Sequence, residues 1–364
     1  MDITAAMVKE LRELTGAGIM ACKKDLVETD GNQEAAIEVL RKKGEATAVK
    51  KSGRIAAEGV VATLVEDGKA AIVEVNSETD FVAKNEKFQT FVANVVKQIV
   101  NSDAADVEAL YAEPWALDTS KTVKDELTSQ IAVIGENMNI RRFKKIVSDG
   151  VVVSYIHAGG KIGVLVEADA QANETVEASM KTIAMQIAAM SPQYISREDI
   201  SDDELAKMRE ITIDSALNDV ASLPKPIQKD IFAEALSTDA LNAEDKAILE
   251  EKQNDKYLFN FLSKEAIASL AAISMSKKEE ICANKIFNGL VEGRISKQLK
   301  EVCLLDQTYV MAADGKQTVK AYLAEVSKEV GAPVALKSFI RFETGEGIEK
   351  KEEDFAAEVA KQMQ

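Results

Sequence analysis

The chain holds one histidine, His157, and three cysteines, Cys22, Cys282 and Cys303. Nucleophilic catalysis would need His157 beside an activated Ser or Cys. It sits instead in "SYIHAGGKIG", which reads as a hairpin turn, and no nucleophile-elbow sequence occurs to pair with it. The cysteines lie far apart, in odd number and in no CxxC spacing, which argues against a disulfide framework or a zinc cage and leaves them as small buried hydrophobes. "TGAGIM" offers a Gly-x-Gly, but the third glycine is missing and the flanks are helical where a phosphate cradle needs a strand before the loop. "DITAAM" and "DGNQEA" lack the alternating oxygen ligands of a calcium loop. The sequence therefore predicts no metal, no cofactor and no enzymatic constellation.

One pair remains unexplained by these tests. "VNSETDFVAKNEKF", residues 75–88, places Asp80 and Phe81 between an apolar run and the start of a helix. Two readings stand side by side. In one, Asp80 caps the following helix and Phe81 folds back onto the preceding strands. In the other, Phe81 points outward as an anchor, since a buried aromatic contributes roughly 1.5–3 kcal/mol to an interface. His157, read as lying in the matching turn of a second copy of this region, could be a solvated residue or a second contact of the same kind.

The bulk composition narrows the partner. The net charge is −16 over 364 residues, yet residues 1–58 hold ten Lys/Arg and ten Asp/Glu, so the whole deficit falls on residues 59–364. A surface this acidic repels phosphate backbones and disfavours nucleic acid, which leaves a protein as the expected partner. No run of about 18 apolar residues exists, and the first residues lack a basic stretch followed by an apolar block. Neither a membrane span nor a signal peptide is predicted, and the expected location is cytoplasmic.

The elements that position these residues can be read from periodicity. Met7, Val8, Leu11 and Leu14 mark a first helix stopping at Gly16 and Gly18. Ile19, Cys22, Leu26 and Val27 mark a second helix up to Asp30-Gly31, and Ala36, Ile37 and Leu40 a third ending at Gly44. These form a three-helix bundle over 1–44, too small to bury much core and suited to binding, followed by a linker over 45–58.

A repeat follows. "GVVATLVEDGKAAIVEVNSETDF" from Gly59 is echoed by "GVVVSYIHAGGKIGVLVEADAQ" from Gly150, so that Lys69 matches Lys161. Each copy is two β-rich runs around a Gly-containing turn, leading into an amphipathic helix: Glu86 to about Val100, and Val176 to Met190. "QTYVMAAD" and "ALKSFIRFETGEG" read as later strands with a helix over Val319–Val330 between them. The fold class is α+β, with two repeated subdomains built on antiparallel sheets over 59–149 and 150–343. The second carries a helical insertion at about 202–300, broken at Leu223-Pro224-Lys225-Pro226, without a sustained heptad and so a helical hairpin or small bundle.

Four stretches bear a resemblance: "VKELRELTGAGIMACKKDLVE" at 8–28, "EVNSETDFVAKNEKF" at 74–88, "IGENMNIRR" at 134–142 and "FIRFETGEGIEKKEEDFAAEVA" at 339–360. In them the chain resembles the bacterial elongation factor Ts family, guanine nucleotide exchange factors for elongation factor Tu. The resemblance implies an N-terminal domain similar to ubiquitin-associated domains, a core of two α+β subdomains, an inserted helical hairpin and a C-terminal helical module over 344–364. The insertion here is longer than the short coiled coil of the best-known members. The resemblance further implies that Thr79, Asp80, Phe81 and Val82 enter between two helices of elongation factor Tu near its magnesium, with Phe81 in an apolar pocket. It implies that His157 joins the same wedge. Arg12, Ile19, Met20 and Lys23 would dock on the partner's GTPase domain, as would residues 345–360. No nucleotide would touch this chain. A non-exchanging scaffold or chaperone-like partner of elongation factor Tu is the alternative that uses the same surfaces.

Overall fold

The computed structural model describes residues 2–349. They divide into two compact units, one built from residues up to Ser191 together with those from Ala321 on, the other from Pro192–Lys320.

The first unit begins with α1 (Ala5–Thr15), α2 (Ile19–Glu28) and α3 (Gln33–Lys51). Thr4 and Asn32 cap α1 and α3 with their side-chain oxygens, and Gly16 closes α1 in the left-handed region at φ 66°. Val8, Leu11, Cys22, Leu26 and Ala36 form the small core between these helices. The third helix does not stop at Gly44, and the linker expected over 45–58 is helical as far as Lys51. Gly44 has no left-handed φ and is buried in mid-helix on the side that packs against α7, so tertiary packing offsets its poor helix propensity, a cost of about 1 kcal/mol.

The first repeat comprises β1 (Glu58–Glu66), β2 (Lys69–Ser77), the single turn α4 (Asp80–Ala83), α5 (Glu86–Asn101), α6 (Val107–Ala112), the short hairpin β3 (Pro114–Trp115) and β4 (Asp118–Thr122), α7 (Val123–Ile134) and β5 (Met138–Val147). Its antiparallel sheet has the order β1-β2-β5. The second repeat has β6 (Val151–His157), β7 (Ile162–Asp169) and α8 (Glu174–Met190). Its third strand comes from the far side of the insertion, so that the sheet order is β6-β7-β8.

The central strand β2 is buried on both faces, which accounts for its nearly unbroken apolar sequence "AAIVEV". Ala71, Val73 and Val75 face the α5 stripe of Phe88, Val92, Val95 and Ile99. Ala70 and Ile72 face the other way and join Val61, Ile146, Leu165 and Phe342 in a core between the two sheets. The α8 helix covers β6 and β7 from its own side.

The second unit is a helical bundle: α9 (Asp202–Asn218), α10 (Lys225–Ser237), α11 (Ala243–Lys252), α12 (Lys264–Ser276), α13 (Lys278–Cys282) and α14 (Lys285–Val302). Leu217, Ile231, Phe232, Leu270 and Phe287 lie in its core. The bundle extends beyond the 202–300 expected from sequence because its two ends are zipped together. The amides of Gln193 and Tyr194 donate to the Val302 carbonyl, Leu304 N–H donates to the Tyr194 carbonyl, and Arg197 pairs with Asp306 at 2.5 Å.

The chain then continues into α15 (Val319–Val330) and β8 (Ala335–Glu343). The expected strand "QTYVMAAD" is absent: one isolated bridge joins Thr308 to Thr318. Asp314 accepts the amides of Lys316 and Gln317, both at 2.9 Å, and folds the segment into a turn, across which the Tyr309 amide donates to the Gln317 carbonyl at 2.8 Å and the Val319 amide to the Gln307 carbonyl at 3.0 Å. Residues 350–364, which hold most of the expected C-terminal module, lie outside the described residues.

Candidate functional site

Strand β2 delivers the chain to Ser77, where it must leave the sheet and enter α5. It does so through two successive caps. The Thr79 hydroxyl accepts the Val82 amide and starts α4, and the Asn85 side-chain Oδ1 accepts the amides of Lys87 and Phe88 and starts α5. Asp80 caps neither helix. It lies in the first turn of α4 and pairs with Lys84 at 2.7 Å. That hydrogen bond, aided by the charges of Lys84 and Lys161, holds its carboxyl below the usual range.

Phe81 does not fold back onto the sheet. Its side chain is 81% exposed, while its neighbours Val82 and Ala83 turn inward onto the first subdomain's core. The four predicted residues therefore separate into distinct roles within the fold: Thr79 is a cap, Val82 a packing residue, Asp80 a half-exposed carboxylate and Phe81 an outward-facing ring.

A four-residue helix has no stability of its own, so its direction is set from outside. The support comes from "GEN", residues 135–137, between α7 and β5. The Glu136 carboxylate accepts the Glu78 amide at 3.1 Å, the Thr79 amide at 3.0 Å and the Thr79 hydroxyl at 2.6 Å. Asn137 N–H donates to Glu78 Oε1 at 2.5 Å, and Asn137 Nδ2 donates to the Arg54 carbonyl at 2.7 Å. Lys51 at the end of α3 reaches the Gly135 carbonyl, tying the N-terminal bundle to the same loop.

A second carboxylate fixes the strand beneath. Glu74, fully buried on β2, accepts from Arg141 Nη1 at 3.0 Å, Arg142 Nε at 2.6 Å, Asn76 Nδ2 at 3.0 Å and the Gly345 amide at 2.8 Å. Burial pushes this carboxyl up, but the Gly345 amide, Asn76 and the two arginines outweigh it, and the net displacement is downward. Gly345 stands at φ +75° with its Cα so close to Ala57 that an added Cβ would lie 2.2 Å from the Ala57 carbonyl oxygen. The structural roles of Glu136 and Arg141 in "IGENMNIRR" and of Gly345 in "FIRFETGEG" cannot be read from those stretches alone. Their partners are far away in the chain, and the clue was the carboxylate set inside an otherwise apolar strand.

His157 ends β6, is exposed, and its Nδ1 lies 3.0 Å from the Tyr155 hydroxyl. Its turn is not the repeat counterpart of the Phe81 turn; by strand order it corresponds to the Asp67-Gly68 turn between β1 and β2. Packing of the two sheets nevertheless brings it to the Phe81 end. Lys161 pairs with Glu58 at 3.2 Å, Gly160 lies against Val60, and Glu58 is the register partner of Ser77.

In the N-terminal bundle, Ile19 and Met20 at the start of α2 are 54% and 77% exposed, with Leu14 also exposed beside the Gly16 turn. Arg12 and Lys23 are exposed on the same two helices. This gives an apolar surface with cationic neighbours. Among the described residues no group of three His, Cys, Asp or Glu could hold a metal ion, and no helix is long and apolar enough to cross a membrane.

The structure thus presents an exposed ring on a clamped turn and an apolar helical face. Residues 78–346 match the family described as Elongation factor TS. Elongation factor Ts of Clostridium tetani is 44% identical over 366 residues, covering all of both chains. That of Clostridium kluyveri is 45% identical over all of this chain and 99% of its own, and that of Clostridioides difficile is 41% identical with the same coverage. The chain belongs to the elongation factor Ts family, the nucleotide exchange factors of translation elongation.

Proposed function

We propose that the chain binds elongation factor Tu in its GDP form and speeds GDP release by inserting Phe81 between helices of that partner near its magnesium site. The observation that carries this is Phe81 itself, a large apolar side chain held 81% exposed on a turn that the rest of the fold immobilises. Burying the ring in the partner recovers the hydrophobic free energy that the free protein forgoes. Asp80, already ionised beside Lys84, brings a negative charge to the same place. Magnesium neutralises the phosphates of GDP, so disturbing its ligands weakens the hold on the nucleotide.

Arg12, Ile19, Met20 and Lys23 supply a docking surface, and His157 a peripheral contact at the Phe81 end. No bond is made or broken. Linkage requires that GDP and this chain weaken each other's binding to the partner by the same factor. The test loads elongation factor Tu with fluorescent GDP and adds catalytic amounts of the protein. Release faster than the spontaneous rate supports exchange; stoichiometric binding without acceleration identifies a scaffold instead.

A further inference from the structure

Glu136 is half-buried, and the turn that carries Phe81 depends on it. Each of its oxygens is committed: Oε2 receives the Glu78 and Thr79 amides at 3.1 and 3.0 Å, and Oε1 receives the Thr79 hydroxyl at 2.6 Å. The last contact has a consequence one step further along. A threonine hydroxyl has one proton, and Glu136 takes it, which leaves a lone pair directed at the Val82 amide, the cap of α4, at 3.3 Å. The hydrogen bonds thus run from Glu136 through Thr79 into the single turn that carries Phe81. From the other side the Ser77 hydroxyl donates to the Thr79 carbonyl at 3.0 Å, so the backbone on both sides of Thr79 is held.

We infer that Glu136 is a positioning residue for nucleotide exchange: it fixes the Thr79 cap and so presents Phe81 to the partner in one orientation. The inference rests on the proposed role of Phe81. An anchor that must first be ordered binds with an apparent affinity reduced by the fraction of time it spends in the competent arrangement. Charged hydrogen bonds of this kind hold that fraction near one. A carboxylate is required rather than any acceptor, because three donors converge on two oxygens.

The experiment measures fluorescent GDP release from elongation factor Tu with Glu136→Ala and Glu136→Gln, each made in the native chain and in Phe81→Ala. Hydrogen exchange at the Glu78 and Thr79 amides and the thermal midpoint are followed in parallel. In the native background Glu136→Ala slows release about tenfold, equivalent to about 1.4 kcal/mol. Glu136→Gln, which keeps one oxygen for the two amides, loses less and guards against a variant that fails to fold. In the Phe81→Ala background both substitutions change release by less than about twofold, because the group they position is gone. The two amides lose protection in Glu136→Ala whichever residue stands at 81. Equal slowing in both backgrounds, or unchanged release, would overturn the inference while leaving the role of Phe81 intact. Unchanged release by Phe81→Ala alone would overturn the role of Phe81, and the inference with it.

Discussion

Replacing Phe81 with alanine removes a ring that the free protein does not bury. At 81% exposure it contributes little to the folded core, whose nearest members are Val82 and Ala83 on the opposite side of α4. The expected change in folding stability is within about 0.5 kcal/mol, the range for surface substitutions. For a unit of this size that is a shift of roughly 1–2 °C in thermal midpoint. Against the partner the arithmetic differs. Burying the ring would contribute roughly 1.5–3 kcal/mol, so its loss slows exchange by roughly ten- to a hundredfold. Stopped-flow release of fluorescent GDP from elongation factor Tu, with scanning calorimetry on the same preparation, reads both quantities. A large fall in midpoint with a proportionate loss of activity would mean that Phe81 stabilises the fold. Unchanged exchange in a stable variant would mean that it is no anchor.

The remaining predictions concern the parts that hold or dock this turn. Glu74 has a depressed folded pKa, so its stabilisation is fully present above the ordinary carboxyl value, about 4.3, and is lost as pH falls through the folded value. Glu74→Gln flattens that acid limb in circular-dichroism titrations and, by leaving two arginines without their buried partner, costs roughly 3–5 kcal/mol at neutral pH. Gly345→Ala forces a side chain at φ +75° into the Ala57 carbonyl, and the strain of roughly 1–3 kcal/mol is read as a lowered denaturation midpoint. Ile19→Ser with Met20→Ser leaves folding stability unchanged but raises the concentration giving half-maximal GDP release, with the saturating rate retained.

Periodicity made some parts of this fold legible and hid others for identifiable reasons. The α5 stripe from Phe88 to Ile99 follows the helical repeat because one side of the helix faces one sheet, and its ends were read to within a residue. The end of α3 was hidden because a glycine normally stops a helix, and only contact with α7 explains why Gly44 does not. Strand β5 was hidden because Arg141, Arg142, Lys144 and Lys145 interrupt its alternation, and because the ladder shifts register between Glu74 and Val75. The choice between buried and exposed Phe81 was open from local sequence, since both placements fit a turn before a helix. What decides it, the Glu136 clamp, spans 57 residues to Thr79, and the Gly345 contact with Glu74 spans 271. No local pattern carries such information.

The two exposed surfaces have different energetic roles under the proposed function. The apolar face of Ile19 and Met20 can touch the partner whether or not GDP is bound, so it strengthens both complexes alike and shifts no equilibrium between them. Phe81 can be buried only after helices of the partner have moved, so its contact favours the nucleotide-free complex alone. Exchange is driven by this second kind of contact, and its useful energy is reduced by any ordering that must occur on binding. That is the physical reason for immobilising an exposed phenylalanine. Its turn leaves a strand buried on both faces, is clamped by Glu136, and has Glu74 pinned to Arg141, Arg142 and Gly345 beneath it. The ordering cost is thereby met during folding, before any partner arrives.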